Sequence, residues 1–208
     1  MTGKEKVTLH IKNMVCDRCK RVVREELERI GLKVERVTLG EVDVIQPIEP
    51  VGRERISEVL EASGFALLED RRARMVERVK AGIIQAVRRD ADEDPLGMKF
   101  SDYLASHLHM DYNYLSSIFS ASEGITIEQY IIQLKIERAK ELIQDGDLNL
   151  SEIAYKLGYK SVQHLSGQFR KVTGMTASRY RQENSDRRPL DKVSSLPILR
   201  KRIGIGIL

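Results

Sequence analysis

The chain has 208 residues, of which 41% are hydrophobic, and its formal net charge is +4 at pH 7. This length suits one large domain or two small ones, and the apolar content is ordinary for a packed core. No apolar run approaches the 18 residues of a membrane-spanning helix, and the first residues lack the apolar stretch of a signal peptide. We therefore expect a cytoplasmic protein.

Strand-like and helix-like patterns alternate in the N-terminal third. Apolar residues recur with period two over residues 7–11, which predicts a strand, and a helix-like spacing follows. Two short strand-like runs then meet at Gly40, a second helix stops at Gly64, and a last strand follows. The order β-α-β-β-α-β is that of the split βαβ unit, so we expect a ferredoxin-like domain over residues 1–69.

The next segment has the pattern of a connection. Apolar residues four positions apart predict a single connecting helix from Arg71 to Arg89. The charged stretch from Asp90 to Gly97, which ends in proline and glycine, is typical of a linker. We assign residues 70–98 to this connection, and we expect residues 183–208, which show no clear period, to form a disordered tail.

The segment from Phe100 to Gln182 is helical in pattern throughout. Residue types that favour helix starts occur at Ser101, Asp111, Thr126, Asn149 and Ser161. Twice, a short capped helix, a turn and a second capped helix follow one another, at about residues 101–121 and 149–172. We therefore expect an all-α domain with two helix-turn-helix units over residues 99–182. A long helix between the units can hold two recognition helices one DNA turn, roughly 34 Å, apart.

Charge is unevenly distributed within this helical segment. Residues 99–150 hold four Lys and Arg against eight Asp and Glu, whereas residues 151–182 hold six Lys and Arg against Glu152 alone. A basic stretch beside an acidic one indicates that one face of the domain meets a polyanion.

A series of residues in the helical segment carries a family resemblance. The series is Leu115-Ser116-Ser117-Ile118-Phe119, Gly124, Tyr130, Arg138-Ala139, Leu142, Ile153-Ala154, Gly158-Tyr159, Phe169-Arg170-Lys171, Gly174 and Tyr180-Arg181. In this order and register, residues 100–182 resemble the DNA-binding domain of AraC-type regulators. Leu165 and Ala177 depart from that family, which usually has Phe and Pro at these positions.

The resemblance implies sequence-specific DNA binding, with base contacts from polar residues of the two recognition helices. The implied base-contacting residues are Asn113, Tyr114, Ser116 and Ser117 in the first helix and Val162, Gln163, His164 and Ser166 in the second. Asn and Gln pair with adenine, but these positions lack arginine, the commonest guanine ligand. We expect Lys160, Arg170 and Lys171 to contact phosphates. For any one of these residues, the alternative is a solvated helix surface without a ligand.

The two cysteines of the chain, Cys16 and Cys19, lie at the predicted start of the first helix. A helix N-terminus favours thiolates, and two thiolates at this spacing can converge on one soft metal ion. Structural zinc takes four protein ligands, so Cu(I), which tolerates two, is the better candidate.

A second resemblance covers this region. Met14-x-Cys16-x-x-Cys19, followed by Val23, Leu27 and Ala62-Ser63-Gly64-Phe65, is similar to the heavy-metal-associated domains of copper-chaperone type over residues 6–69. Asn13 stands where that family usually has glycine, and the hairpin at Gly40 is very short. The resemblance implies Cu(I) or another soft metal ion on Cys16 and Cys19. A thiol redox switch and a purely structural or dimerising role are the alternatives.

Together these patterns predict a one-component transcription regulator in which a sensor-like domain precedes a DNA-binding domain. Its expected partner is double-stranded promoter or operator DNA, with RNA polymerase and a second copy of the chain as further candidates and no membrane. We predict no enzymatic activity, because no catalytic triad, phosphate-binding glycine loop or pair of catalytic carboxylates stands out. The alternatives are a metal-handling chaperone or buffer protein and a thiol redox-responsive regulator.

Overall fold

A small sheet with two helices forms the N-terminal part of the computed structural model, which describes residues 6–45, 51–88 and 99–185. Its elements are β1 (Lys6–Lys12), α1 (Asp17–Arg29), β2 (Lys33–Thr38), β3 (Glu41–Ile45), α2 (Arg53–Ala62) and β4 (Ala66–Leu67). They follow the predicted β-α-β-β-α-β order and form an antiparallel sheet with strand order β2-β3-β1-β4. Gly40 turns the short hairpin with a φ of 83°, a left-handed conformation that glycine adopts without steric cost.

Helices make up the rest of the described chain. They are α3 (Arg71–Arg88), α4 (Phe100–Leu108), α5 (Tyr112–Glu123), α6 (Ile127–Asp145), α7 (Leu150–Lys156), α8 (Val162–Thr173) and α9 (Ala177–Ser185). The first helix-turn-helix unit is α4–α5 and the second is α7–α8, with α6 between them. The predicted linker from Asp90 to Gly97 and the predicted tail beyond residue 185 lie outside the described residues. None of the helices in the described ranges combines the length and apolar character needed to cross a bilayer.

Four of the five predicted helix caps are confirmed. The Asp111 side chain accepts a hydrogen bond from the Tyr114 N–H (3.0 Å), and Ser161 caps α8 in the same way. Thr126 and Asn149 each form a complete capping box.

The predicted cap at Ser101 is wrong. Lys99 already has the extended conformation of an N-cap residue, so α4 begins at Phe100 and Ser101 lies inside its first turn. The Ser101 hydroxyl donates to the Asp102 carboxylate at 3.1 Å instead of capping the backbone. Side-chain type therefore predicted a helix start nearby and missed its position by two residues.

Helix α3 is buried between two hydrophobic cores. Val79 and Ile83 are fully buried in a core formed with α4, α5 and the first half of α6. Ile84, on the adjoining face of α3, packs into the core of the sheet domain. The segment predicted as a connecting helix is thus an integral part of both cores.

A buried ion cluster fastens α3 to α5. The Lys80 ammonium lies 2.9 Å from Glu77 Oε1 on α3 and 2.8 Å from Glu123 Oε1, at the end of α5. Burial alone lowers the pKa of Lys80, but attraction to Glu77 and Glu123 outweighs burial and leaves the pKa raised. Lys80 is therefore a charged bridge, and its stabilising effect disappears only as the pH rises past the ordinary lysine range.

We expect Lys80→Met to lower the free energy of unfolding by about 3–5 kcal/mol, because it leaves two carboxylates facing each other away from bulk water. Urea titration followed by circular dichroism measures the change. The matched control is Lys6→Met, which breaks an exposed ion pair with Glu35 and should change stability by less than about 1 kcal/mol. Equal, small losses for the two variants would contradict a stabilising role for the cluster.

Candidate functional site

Two segments fifty residues apart, residues 111–130 and 161–180, are structural repeats that contain α5 of the first unit and α8 of the second. The matching pairs are the buried Leu115 and Leu165, the buried Phe119 and Phe169, the left-handed Gly124 and Gly174, and the ring-packed Tyr130 and Tyr180. In both repeats the phenylalanine meets the tyrosine edge to face, with ring centroids 5.4 Å and 5.5 Å apart. The same packing thus holds α5 and α8 on their units.

The predicted base-contacting residues lie on the outer surfaces of α5 and α8. The exposed ones are Asn113, Tyr114 and Ser117 on α5 and Gln163 and His164 on α8. Ser116 and Ser166 occupy matching half-buried positions, whereas Val162 packs partly against the core beneath α8. Two polar helix faces are therefore presented at equivalent places in the two repeats.

Charge distinguishes these two otherwise equivalent surfaces. Residues 111–130 contain three carboxylates and no Lys or Arg, whereas residues 161–180 contain three basic residues and no carboxylate. Arg170 and Lys171 are exposed at the end of α8, and their counterparts on α5 are Ser120 and Ala121. Lys160, in the turn before α8, is also exposed. The predicted phosphate contacts therefore lie in the second repeat and in the turn just before it.

A hydrogen bond found in one repeat adds to this difference. The Tyr112 hydroxyl at the start of α5 donates to the Glu128 carboxylate at the start of α6, at 2.6 Å. Burial and this bond raise the pKa of Tyr112. The matching residues of the second repeat, Val162 and Ser178, cannot form the same bond. A carboxylate is thus held beside the first recognition helix and not beside the second.

The cysteine pair lies at the start of α1. Cys16 is the N-cap residue, Cys19 is in the first turn, and their free sulfur atoms are 3.3 Å apart. Both are partly buried, and burial raises the pKa of the Cys19 thiol. Two converging sulfur donors fit a soft metal ion of low coordination number. Within the described ranges, no group of three or more His, Cys, Asp and Glu residues could hold a metal ion.

The loop that carries the pair is firmly anchored. Met14 is buried beneath it, and the Asn13 side-chain amide donates to the Gly64 carbonyl at 3.0 Å. Asn13 has a φ of 74°, in the left-handed region, which asparagine tolerates better than most residues. His10 does not join the thiols, and its Nδ1 atom lies 3.6 Å from Glu41 Oε1.

Exposed charges flank the cysteine loop. The hydrogen bond and charge of Lys20, whose ammonium lies 2.7 Å from the carboxylate, lower the pKa of Asp17. At the end of α3, Arg88 approaches Glu141 of α6 at 4.0 Å.

A contact between the two units had no recognised signal in the sequence. The Lys135 ammonium, in the middle of α6, lies 5.4 Å from the ring centroid of Phe100 and 5.4 Å from that of Tyr159. Phe100 begins α4 of the first unit, whereas Tyr159 lies in the turn of the second. Contacts between residues that are distant in the chain leave no periodic pattern in the sequence. The one available signal was that Phe100 and Tyr159 are two of only eleven Phe and Tyr residues in the chain.

Comparison with known proteins points to the same part of the chain. Residues 104–183 match a sequence family described as a helix-turn-helix domain. The uncharacterized HTH-type transcriptional regulator YtdP of Bacillus subtilis is 38% identical over 82 residues, which are 39% of this chain and 11% of that protein. The melibiose operon regulatory protein of Escherichia coli is 31% identical over 85 residues, 41% of this chain and 28% of that protein. Among solved structures, the C-terminal domain of the response regulator AraT from Geobacillus stearothermophilus is 23% identical and has a TM-score of 0.46. The match covers 61% of this chain and 95% of that chain.

The family match confirms the predicted helix-turn-helix domain in this part of the chain. Both relatives are named as regulators. The chain spans less than a third of the length of either relative.

Proposed function

We propose that this protein is a transcription regulator that binds duplex DNA with α5 and α8 as its two recognition helices. The repeat carries the proposal, because one rigid domain presents two equivalent polar helix faces. The major groove, about 12 Å wide, admits one helix. The 19-residue α6 between the units is about 28 Å long, comparable with the roughly 34 Å of one DNA turn.

The charge difference suggests a division of labour between the units. Lys160, Arg170 and Lys171 of the second unit contact phosphates and supply most of the affinity that is independent of sequence. Polar residues on both helices, with Asn113 and Gln163 at matching positions, contact bases. A regulator of this kind acts on the chromosome, so we also propose a cytoplasmic location, with RNA polymerase and a second copy of the chain as further partners.

We infer in addition that the N-terminal part is a ferredoxin-like, heavy-metal-associated domain that responds to a soft metal ion. Its strand order and the converging thiols of Cys16 and Cys19 support this inference. Bound Cu(I) would add positive charge at the start of α1, beside Asp17. Because Val23 and Leu27 of α1 share a core with Ile84 of α3, which also packs against the first unit, a change at this loop can be transmitted to the DNA-binding part through α3.

Replacing Arg170 by Ala tests the proposed phosphate contacts. We expect weaker binding to all DNA sequences and a plot of log affinity against log salt that is flatter by about one unit, because about 0.9 counterion is released per neutralised phosphate. Lys171→Ala should behave alike, and fluorescence anisotropy with random duplexes measures both. The control is Ser120→Ala, the matching position of the first repeat, which should leave the slope unchanged. An unchanged slope in both basic-residue variants would defeat the assignment.

Gln163→Ala tests base recognition after the preferred DNA site has been selected from a random pool. We expect a loss of about 1–3 kcal/mol on that site, little loss on random DNA, and relaxed preference at one or two base pairs. Asn113→Ala, at the matching position, should relax preference about ten base pairs away. If Gln163→Ala weakens specific and random binding equally, Gln163 contacts the backbone instead.

The metal inference is tested by competition with a Cu(I) chelator under reducing conditions, using wild type and Cys16→Ser/Cys19→Ser, with and without the selected DNA. We expect one Cu(I) per wild-type chain and none on the double variant. Linkage requires DNA and Cu(I) to change each other's affinity by the same factor, often about 5- to 150-fold.

Three other outcomes separate the alternatives. If wild type and the double variant compete equally with the chelator for Cu(I), Cys16 and Cys19 do not bind the metal. Tight Cu(I) binding whose affinity is unchanged by DNA would favour a metal-handling protein, because a ligand that binds two states equally does not shift the equilibrium between them. A DNA response that appears only on oxidation and is reversed by thiol would favour the redox switch.

A further inference from the structure

The two helix-turn-helix units have separate hydrophobic cores. The first half of α6 contributes Ile127, Tyr130 and Ile131 to the core of the first unit. The second half contributes Ile136, Ala139, Leu142 and Ile143 to the core of the second unit, and the described residues of the two cores do not overlap. The relative placement of α5 and α8 therefore depends on α6 and on side chains at the junction of its two halves.

Lys135 lies at that junction. Its ammonium is 5.4 Å from the ring centroids of both Phe100, in the first unit, and Tyr159, in the second. Cation–π attraction acts at this range, and both rings are partly buried, which limits screening by water. A Cβ atom added at Gly158, beside Tyr159, would meet the ammonium at 3.6 Å, so the turn of the second unit lies within van der Waals range of Lys135.

The same series of contacts continues into the second recognition helix. The Tyr159 ring packs edge to face against His164 of α8, with centroids 5.3 Å apart and planes at 88°. The series thus runs from the start of α4 through Lys135 and Tyr159 to a predicted base-contacting residue.

We propose that Lys135 is a positioning residue that fixes the spacing of the two recognition helices on DNA by bridging Phe100 and Tyr159. The proposal rests on the proposed function, and it gives Lys135 a role in the relative placement of α5 and α8 and no direct contact with DNA. One added base pair moves a half-site by about 3.4 Å and turns it by about 35°. A rigid pair of units therefore discriminates strongly between spacings, whereas a loosened pair tolerates the change.

The experiment compares affinity for the selected DNA site with affinity for versions that have one base pair added or removed between the half-sites. Lys135→Met keeps most of the side-chain volume and removes the charge. Discrimination is the ratio of the affinity for the selected site to the affinity for an altered spacing. We expect Lys135→Met to reduce this ratio by about two- to five-fold for each of the two cation–π contacts that it removes. Lys135→Arg should retain the discrimination, because a guanidinium also binds aromatic faces.

The matched control is Lys140→Met on the same helix, where the lysine pairs with Glu137 of α6 itself. It should leave discrimination between spacings unchanged. Circular dichroism verifies that each variant is folded. Should Lys135→Met fail to fold, Phe100→Leu and Tyr159→Leu each remove one ring, and each should reduce the discrimination.

The salt dependence of binding separates positioning from phosphate contact. We expect Lys135→Met to keep the wild-type salt slope. Spacing discrimination equal to that of wild type in Lys135→Met and in both ring variants would overturn the positioning role. A slope flattened by about one unit would overturn it too, because Lys135 would then be a phosphate ligand. If wild type selects no DNA site from the pool, the proposed function fails, and this proposal fails with it.

Discussion

Burial of α3 against two cores is the constraint on which the arrangement of the molecule depends. Val79 and Ile83 complete the core of the first helix-turn-helix unit, and Ile84 completes that of the sheet domain. A fully buried side chain of this size stabilises the fold by about 1.5–3 kcal/mol, so these three together outweigh any exposed ion pair in the chain. Because packed interiors resist deformation, α3 cannot shift in one core without disturbing the other.

The two repeats share their internal packing but have different supports. The end of α5 is held by the buried charge of Lys80 through Glu123. The matching residue at the end of α8 is Thr173, whose hydroxyl bonds to the backbone of Phe169 and Met175 within its own repeat. The first unit is thus tied to the N-terminal part through α3, whereas the second, more basic unit is held by α6 and α9. This asymmetry is consistent with the proposed division, in which the first unit responds to the N-terminal domain and the second supplies most of the DNA affinity.

Local features of the fold could be predicted from the sequence because each rests on neighbouring residues. Thr126 with Gln129 and Asn149 with Glu152 form their capping boxes within one helical turn, and Gly40 turns a hairpin of adjacent strands. The predicted cap at Ser101 was wrong because several neighbouring residues can begin a helix, and the backbone conformation decides among them. The charge difference between the repeats is also visible in the sequence, whereas their fifty-residue offset becomes clear from the matching burial patterns.

The sequence by itself determined the order and approximate extent of the helices and strands, that two capped helix pairs flank a long helix, and that two cysteines lie at the start of α1. These properties depend on local propensity, periodicity and spacing, which a single chain segment contains. Only the tertiary structure decided that α3 belongs to two cores, that Lys80 joins Glu77 to Glu123, and that Lys135 lies between Phe100 and Tyr159. Apart from the Lys80–Glu77 pair within α3, these contacts join residues that are far apart in sequence. They depend on how whole helices pack against one another, and that packing is decided by a small difference between large opposing free energies.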